Sequence, residues 1–240
     1  MFGVVAGLGP RATVAFYSAF MNNVTSKTQG GLPRMILYSV AMNPTIENAF
    51  LQGAVDESAE PRRQVRSLLN EAVQHFLDNR VTTVAMACNT LQDELTALCK
   101  ASGLVNLNMI DATADAIRQR NARRVLILGT ASTYCDDLYG QRLQKHGIEC
   151  VYPDAGQQDF IETYIRFALD QDISDTAKQQ FAENVRKIAD ATGADSVVLA
   201  CTDLTGDLEE QACSIMVFDS LQLLAQTAAA HVLDRDELFV

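Results

Sequence analysis

Short apolar runs alternate with amphipathic stretches along the chain. The apolar runs, each followed by turn residues, are residues 2–6, 35–40, 83–87, 125–128, 197–200 and 215–218, with weaker runs at 104–110 and 148–152. Between them, apolar residues recur every three or four positions, which is typical of helices. One such series is Val65, Leu68, Leu69, Ala72, Val73, Phe76 and Leu77. Since the strands are continuously apolar and helices separate them, the pattern predicts an α/β fold whose parallel sheet is covered on both faces.

The two halves of the chain resemble each other in sequence. Residues 83–91 (TVAMACNTL) and 196–204 (SVVLACTDL) each read as a strand, an Ala-Cys pair and a Thr-containing turn. Such repetition predicts two pseudo-symmetric α/β domains that face each other across a cleft. We expect residues 1–106 with 217–240 to form the first domain, which carries Cys88. Residues 107–216 would form the second, which carries Cys201, so that the last helix returns to the first domain.

Composition and charge exclude several classes of protein. The net charge is −11, from 30 acidic and 19 basic side chains, which argues against a general nucleic-acid binder. No run approaches the roughly 18 apolar residues of a membrane helix. The chain begins directly with an apolar run and no charged leader precedes it, so we expect a cytoplasmic protein that does not bind membranes.

Two of the six cysteines occupy matching positions. No Cys-x-x-Cys pair occurs, and the three histidines lie far from any cysteine in the sequence, so zinc and thioredoxin patterns are missing. Cys88 and Cys201 both follow a strand and precede a helix. At that point a parallel sheet presents side chains to a ligand, and the helix N-terminus favours a thiolate. The other four are interpreted as packing residues: Cys99, Cys135, Cys150 and Cys213.

Two thiols on opposite sides of one ligand suit proton transfer at a carbon atom. One cysteine removes a proton as thiolate, and the other returns one to the opposite face as thiol. The charge that develops on the substrate carboxylate needs fixed donors. We expect them from Asn89, Thr90, Thr202 and the backbone of Asp203. A single cysteine at a strand end is more often a small buried hydrophobe, but two in matched contexts favour catalysis.

At these residues the chain resembles the aspartate/glutamate racemase family. The resemblance rests on residues 7–13 (GLGPRAT), 87–90 (ACNT), 109–113, 128–133, 201–204 (CTDL) and 217–220. It implies a cofactor-independent amino-acid racemase without pyridoxal phosphate or metal, commonly a homodimer. Cys88 and Cys201 would be the acid/base pair. The substrate-binding residues would be Leu8, Gly9, Asn89, Thr90, Thr130, Thr202 and Asp203, with the loop at Leu8 and Gly9 closing on the substrate.

The sequence departs from the members of this family that act on aspartate. Those members carry Pro-Asp-Arg after the second strand, where residues 43–48 here read NPTIEN, and a Lys on a later helix, near Phe167 and Ala168 here. An unpaired substrate carboxylate is costly to desolvate. Either the substrate is not aspartate, as residues 39–53 suggest by their similarity to the broad-specificity branch, or another cation serves: Arg11, Arg62, Arg63 or Arg166.

Three other functions stay open at this point. A decarboxylase or maleate-type isomerase of the same superfamily is one, although such members can work with one key cysteine. A dehydrogenase is another, because Gly7, Gly9 and Ala12 fit a dinucleotide-binding loop; however, Pro10 follows the second glycine and residues 35–43 lack the acidic residue that would hold the ribose. The third is a non-catalytic module that binds a ligand in the cleft.

Overall fold

The computed structural model describes residues 1–28, 31–43, 45–46, 49, 59–170, 172–235 and 238–239. Within these ranges the chain forms two four-stranded parallel sheets and a short antiparallel pair. The first sheet has the order β3-β1-β4-β5 and consists of β1 (Phe2–Ala6), β3 (Met35–Ser39), β4 (Thr83–Met86) and β5 (Val105–Leu107). The second has the order β7-β6-β8-β9 and consists of β6 (Arg124–Leu128), β7 (Glu149–Val151), β8 (Ser196–Leu199) and β9 (Met216–Asp219). The antiparallel pair joins β2 (Leu32–Pro33) to β10 (Leu238–Phe239).

Helices connect the strands, and local sequence signals set their ends. The helices are α1 (Pro10–Thr25), α2 (Glu60–Asp78), α3 (Gln92–Ser102), α4 (Met109–Gln119), α5 (Ala131–Cys135), α6 (Gly140–Gln144), α7 (Ala155–Asp170), α8 (Asp175–Thr192), α9 (Glu210–Cys213) and α10 (Ser220–Asp234). The side chains of Asn108, Ser174 and Asp219 cap α4, α8 and α10. Gly103 and Gly193 end α3 and α8 in the left-handed conformation that glycine adopts without strain.

The predicted α/β fold with two parallel sheets is confirmed. Every residue of β4 and of β8 is buried, as expected for strands covered on both faces. The weaker apolar run 104–110 is only partly a strand. It contains β5, but Asn108 then accepts hydrogen bonds from the N–H groups of Ile110 and Asp111 and so begins α4.

The last part of the chain links the two sheets. Strand β9 pairs with β8 in the second sheet, whereas α10 packs against α1 in a core that includes Phe16, Phe20 and Leu224. Our division into residues 1–106 with 217–240 and residues 107–216 follows the two sheets, except where it cuts through β5 and β9. We keep it as a proposal. Among the described helices, none combines the length and apolarity that a membrane crossing requires.

Candidate active site

The two cysteines lie at corresponding places in the two sheets. Cys88 is two residues past the end of β4, and Cys201 is two residues past the end of β8. Both strands have neighbours on each side in their sheet. Both cysteines line one cavity of about 60 Å³. The fold therefore brings together the two thiols that the sequence repeat singled out.

Most of the predicted site residues line the same cavity. They are Leu8, Cys88, Asn89, Thr90, Thr130, Cys201, Thr202 and Asp203. Gly9 is the exception. It lies at the N-terminus of α1, where its carbonyl oxygen accepts hydrogen bonds from the N–H and the hydroxyl of Thr13. Gly9 therefore shapes the loop that carries Leu8 and does not itself form part of the cavity wall.

Gly7 fixes the path of this loop. Its φ of 84° lies in the left-handed region. A Cβ atom at this position would stand 2.3 Å from the carbonyl oxygen of Val40. Only glycine combines that conformation with such a close approach to the segment after β3.

Burial dominates the acidity of Cys88. It raises the pKa of the thiol to about 11, although the N–H groups of Leu91 and Thr90 bond to the sulfur and act in the opposite direction. The negative charges of Asp203 and Glu94 raise it further. The helix N-terminus favours the thiolate as expected, but the lost hydration outweighs it. The raised pKa favours the thiol form of Cys88 at neutral pH.

Cys201 is held more firmly in the thiol form. Burial raises its pKa well above the ordinary value, and the charge of Asp203 raises it further. The thiol donates to Oδ2 of Asp203 over 3.7 Å. The N–H of Asp203 favours the thiolate, and a charge on Cys88 opposes it. The two sulfurs are thus electrostatically coupled, so ionisation of one disfavours ionisation of the other.

Asn89 is fixed between the two halves of the molecule. Its Oδ1 accepts a 2.6 Å hydrogen bond from the hydroxyl of Tyr139, and its Nδ2 donates to Oγ of Ser220. The Ser220 hydroxyl in turn donates to the carbonyl oxygen of Leu199 at the end of β8. Much of the hydrogen-bonding capacity of the Asn89 amide is therefore used within the protein. Sequence reasoning missed Tyr139 and Ser220, because they come from distant segments.

Gln92 holds the backbone on which Cys88 lies. The side chain is fully buried. Its Nε2 donates to the carbonyl oxygens of Met86 and Cys88, both at 2.8 Å. Its Oε1 accepts from the N–H of Met109. The sequence shows a glutamine in the first turn after the Cys-Asn-Thr motif, but not the burial on which this role depends.

Thr130 presents an unsatisfied hydroxyl to the cavity. The residue is 6% exposed and stands at the N-terminus of α5. Its Oγ1 has no hydrogen-bond partner among the described residues. A buried polar group left unpaired costs about 1–3 kcal/mol. A ligand that hydrogen-bonds to this oxygen would recover that energy.

The four arginines considered for a substrate carboxylate do not line the cavity. Each is near an acidic side chain: Arg11 with Asp172, Arg62 with Glu94, Arg63 with Glu60, and Arg166 at 3.9 Å from Glu162. On α7, Phe167 is exposed and Ala168 is buried, and it is Leu169 that reaches the cavity. Asn48, where the other cation was sought, lies outside the described residues. Within the described ranges, no cluster of three or more His, Cys, Asp and Glu side chains could hold a metal ion.

This arrangement defines a two-domain α/β fold with paired cysteines in its central cavity, and comparison with known proteins identifies the family. Residues 5–228 match the model of the Asp/Glu/hydantoin racemase family. The chain therefore belongs to this family, and it is an isomerase of the racemase type.

Individual relatives agree with that assignment. The chain is 24% identical over 240 residues to RacX, a broad-specificity amino-acid racemase of Bacillus subtilis strain 168, with 97% of this chain and 98% of that protein covered. A candidate Asp/Glu racemase from Yersinia pestis has a similar structure, with a TM-score of 0.80, 27% identity, and 97% and 98% of the two chains covered. An aspartate racemase homologue from Pyrococcus horikoshii shares the fold, with a TM-score of 0.77, 23% identity and the same coverage.

Proposed function

We propose that this protein racemises an amino acid by moving the Cα proton between Cys88 and Cys201, without a cofactor. The observation that carries the proposal is that both thiols line one small cavity, each from the end of a central strand of its own sheet. Such a pair can take a proton from one face of a carbon and return one to the other. The roles of the two cysteines exchange with the direction of the reaction.

The substrate itself helps to generate the thiolate. Both thiols have raised pKa values because they are buried. An amino acid brings an ammonium group, and a positive charge close to a thiol favours its ionised form. Cys88 ionises first, because two backbone N–H groups bond to its sulfur while Cys201 donates to a carboxylate. Cys201 is the proton donor in the direction in which Cys88 removes the proton, and the two roles are reversed in the other direction.

Hydroxyl donors stabilise the charge that develops on the substrate carboxylate. Thr90, Thr130 and Thr202 place hydroxyls at the cavity wall. The backbone N–H groups of Thr90, Leu91 and Asp203 instead bond to the two sulfurs and favour the thiolates. Donors held in place before the reaction stabilise a developing negative charge without reorganising. We assign Asn89 a positioning role, because its amide is bonded to Tyr139 and Ser220.

Proton exchange at Cα tests the proposal. Single enantiomers of acidic, basic and neutral amino acids are incubated with the protein in heavy water, and Cα deuterium is followed by NMR. We expect exchange with at least one of them. Cys88→Ser and Cys201→Ser should each slow it by about 10²–10⁴-fold, the usual contribution of an acid/base group. The matched control is Cys150→Ser, since Cys150 is half-buried outside the cavity. Binding without exchange would instead indicate a non-catalytic module.

The location and the assembly of the protein follow as further parts of the proposal. All six cysteines are free thiols, which suits a reducing compartment and supports a cytoplasmic protein. The resemblance to the racemase family supports a homodimer. Analytical ultracentrifugation at several protein concentrations tests the dimer, and a single species of 26.2 kDa would contradict it.

A further inference from the structure

Among the described lining residues, three apolar side chains come from outside the two turns that carry the cysteines. Leu8 comes from the loop after β1, Met42 from the segment after β3, and Leu169 from the end of α7. The cysteine turns provide the thiols and two threonine hydroxyls of the reacting centre. The side chain of a bound amino acid would therefore face Leu8, Met42 and Leu169.

Positive charge is missing from the cavity wall. All 19 Lys and Arg residues fall within the described part of the chain, and none of them lines this cavity. Apart from the two thiols, the ionisable side chain among the described lining residues is that of Asp203. Arg11 and Lys178 line a neighbouring cavity that shares Thr202 and Asp203 with this one. There they pair with Asp172 and Asp207. Within the cysteine cavity a substrate side-chain carboxylate would lose its hydration, gain no cation and face a second carboxylate. Both effects oppose its binding.

Arg166 does not change this balance. It lines a separate small pocket, which shares only Thr130 and Leu169 with the cavity. Its guanidinium lies 3.9 Å from the carboxylate of Glu162 and is largely exposed. Leu169 and Thr130 therefore separate the cavity wall from the pocket that contains this arginine, since they line both.

The cavity also has little free space. Its volume is about 60 Å³, which is room for only a few water molecules at about 10–15 Å³ each. Leu8, Met42 and Leu169 already stand close to the space that a substrate needs. A long side chain would have to displace at least one of them, at a cost in packing.

We infer that the substrates of this site are amino acids with short neutral side chains, and that Leu169 sets this specificity. Aspartate and glutamate are excluded by the absent cation and by Asp203, and long side chains are excluded by the apolar wall. The inference rests on the proposed racemase function and narrows its substrate class.

A substrate panel separates the inference from the proposed function. Cα exchange is measured for single enantiomers of alanine, serine, aspartate, glutamate and lysine, and we expect kcat/KM for alanine or serine to exceed the others by at least tenfold. Aspartate or glutamate exchanging as fast as alanine would overturn the inference and leave the racemase function standing. If none exchanges, the proposed function fails. In that case the binding of each amino acid to the Cys88→Ser/Cys201→Ser double variant is measured by ligand NMR. The inferred substrate class stands only if alanine or serine binds and aspartate does not.

A charge placed on α7 tests the role of Leu169. In Leu169→Lys the new ammonium group faces the cavity, so the kcat/KM ratio of aspartate to alanine should rise at least tenfold. The matched control is Phe167→Lys, which adds the same charge to the same helix at an exposed position outside the cavity. An equal rise in both variants would show a general electrostatic effect and contradict the inference.

A second variant covers the case in which a buried lysine impairs folding. Leu169→Ala removes apolar volume and adds no charge. We expect it to raise the kcat/KM ratio of leucine to alanine at least tenfold, because the shortened side chain makes room for a longer substrate. An unchanged ratio in this folded variant would mean that Leu169 does not limit the substrate side chain.

Discussion

The thiol of Cys201 donates to Oδ2 of Asp203 over 3.7 Å, two residues further along the same turn. The carboxylate disfavours the thiolate by its charge and by accepting the S–H hydrogen bond. Cys88 has no such partner two residues on, where Thr90 contributes an N–H group to its sulfur. The two halves of the repeat therefore place their thiols alike but give them different acidities.

Neutralising Asp203 should lower the pKa of Cys201. In Asp203→Asn the negative charge is lost, while the backbone N–H that favours the thiolate remains. The measurement is the pH dependence of the alkylation of Cys201 by iodoacetamide. It is made in a Cys88→Ser background, so that Cys201 is the cysteine that lines the cavity. The alkylation profile should move to lower pH. A profile that stays in place or moves upward would contradict the role assigned to Asp203.

Removing the Gln92 side-chain bonds should destabilise the fold around Cys88. Gln92→Leu leaves the carbonyl oxygens of Met86 and Cys88 and the N–H of Met109 without this partner. Since each unpaired buried group costs about 1–3 kcal/mol, we expect the free energy of unfolding to fall by at least about 2 kcal/mol, as measured by urea denaturation. Gln226→Leu, at an exposed position of α10, is the control and should change it little. Equal stability of the two variants would refute this account of Gln92.

Tyr139 should affect catalysis through Asn89. Its hydroxyl is fully buried, and burial keeps its pKa far above the ordinary value, so it stays a donor to Asn89 across the physiological pH range. Tyr139→Phe removes this bond, so that of the two partners Tyr139 and Ser220 only Ser220 still holds the Asn89 amide. We expect kcat to fall about tenfold or more, because small displacements of positioned groups are costly, while the alkylation profile of Cys88 stays unchanged. Tyr17→Phe, on the exposed face of α1, should leave kcat as it is, and an unaltered kcat in Tyr139→Phe would contradict the positioning role.

Alanine substitutions at Gly7 and Gly103 separate two effects: the collision of a new Cβ atom with its neighbours, and the strain of a positive φ angle. Both have positive φ angles, but a Cβ at Gly7 would collide with the Val40 carbonyl, whereas nothing lies within 4 Å of one at Gly103. Gly103→Ala should therefore cost only the left-handed backbone strain, about 1–2 kcal/mol. Gly7→Ala should cost more and should also lower kcat/KM, because the loop that carries Leu8 has to move. Similar losses of stability and unchanged kcat/KM would argue against a tightly held loop.

The sequence predicted the cavity-lining residues that belong to short contiguous motifs. The repeat of strand, cysteine and turn located both thiols and most of the cavity wall, because parallel strands place their carboxyl ends at one edge of the sheet. Gln92, Tyr139, Ser220 and Leu169 were missed. Their roles depend on burial and on the groups that they contact in the fold, and the sequence alone specifies neither.

The pKa values of the two thiols could not be predicted from the sequence either. The position of Cys88 before a helix correctly indicated N–H groups near the sulfur, but its burial reverses the net direction of the pKa shift. Likewise, Arg62 was a reasonable candidate for binding a carboxylate until the structure placed it beside Glu94. Burial and pairing are properties of the fold, so local sequence patterns do not fix them.

The most direct test of proton exchange between Cys88 and Cys201 is the fate of deuterium in the first turnovers. One enantiomer of the amino acid that exchanges fastest in the panel is incubated with the protein in heavy water. Both enantiomers are recovered early, while the newly formed one is still a small fraction of the total. With two separate acid/base groups, the newly formed enantiomer carries solvent deuterium at Cα while the remaining starting enantiomer keeps its proton. A product that retains the original proton would mean that a single group serves both faces, and would contradict the account.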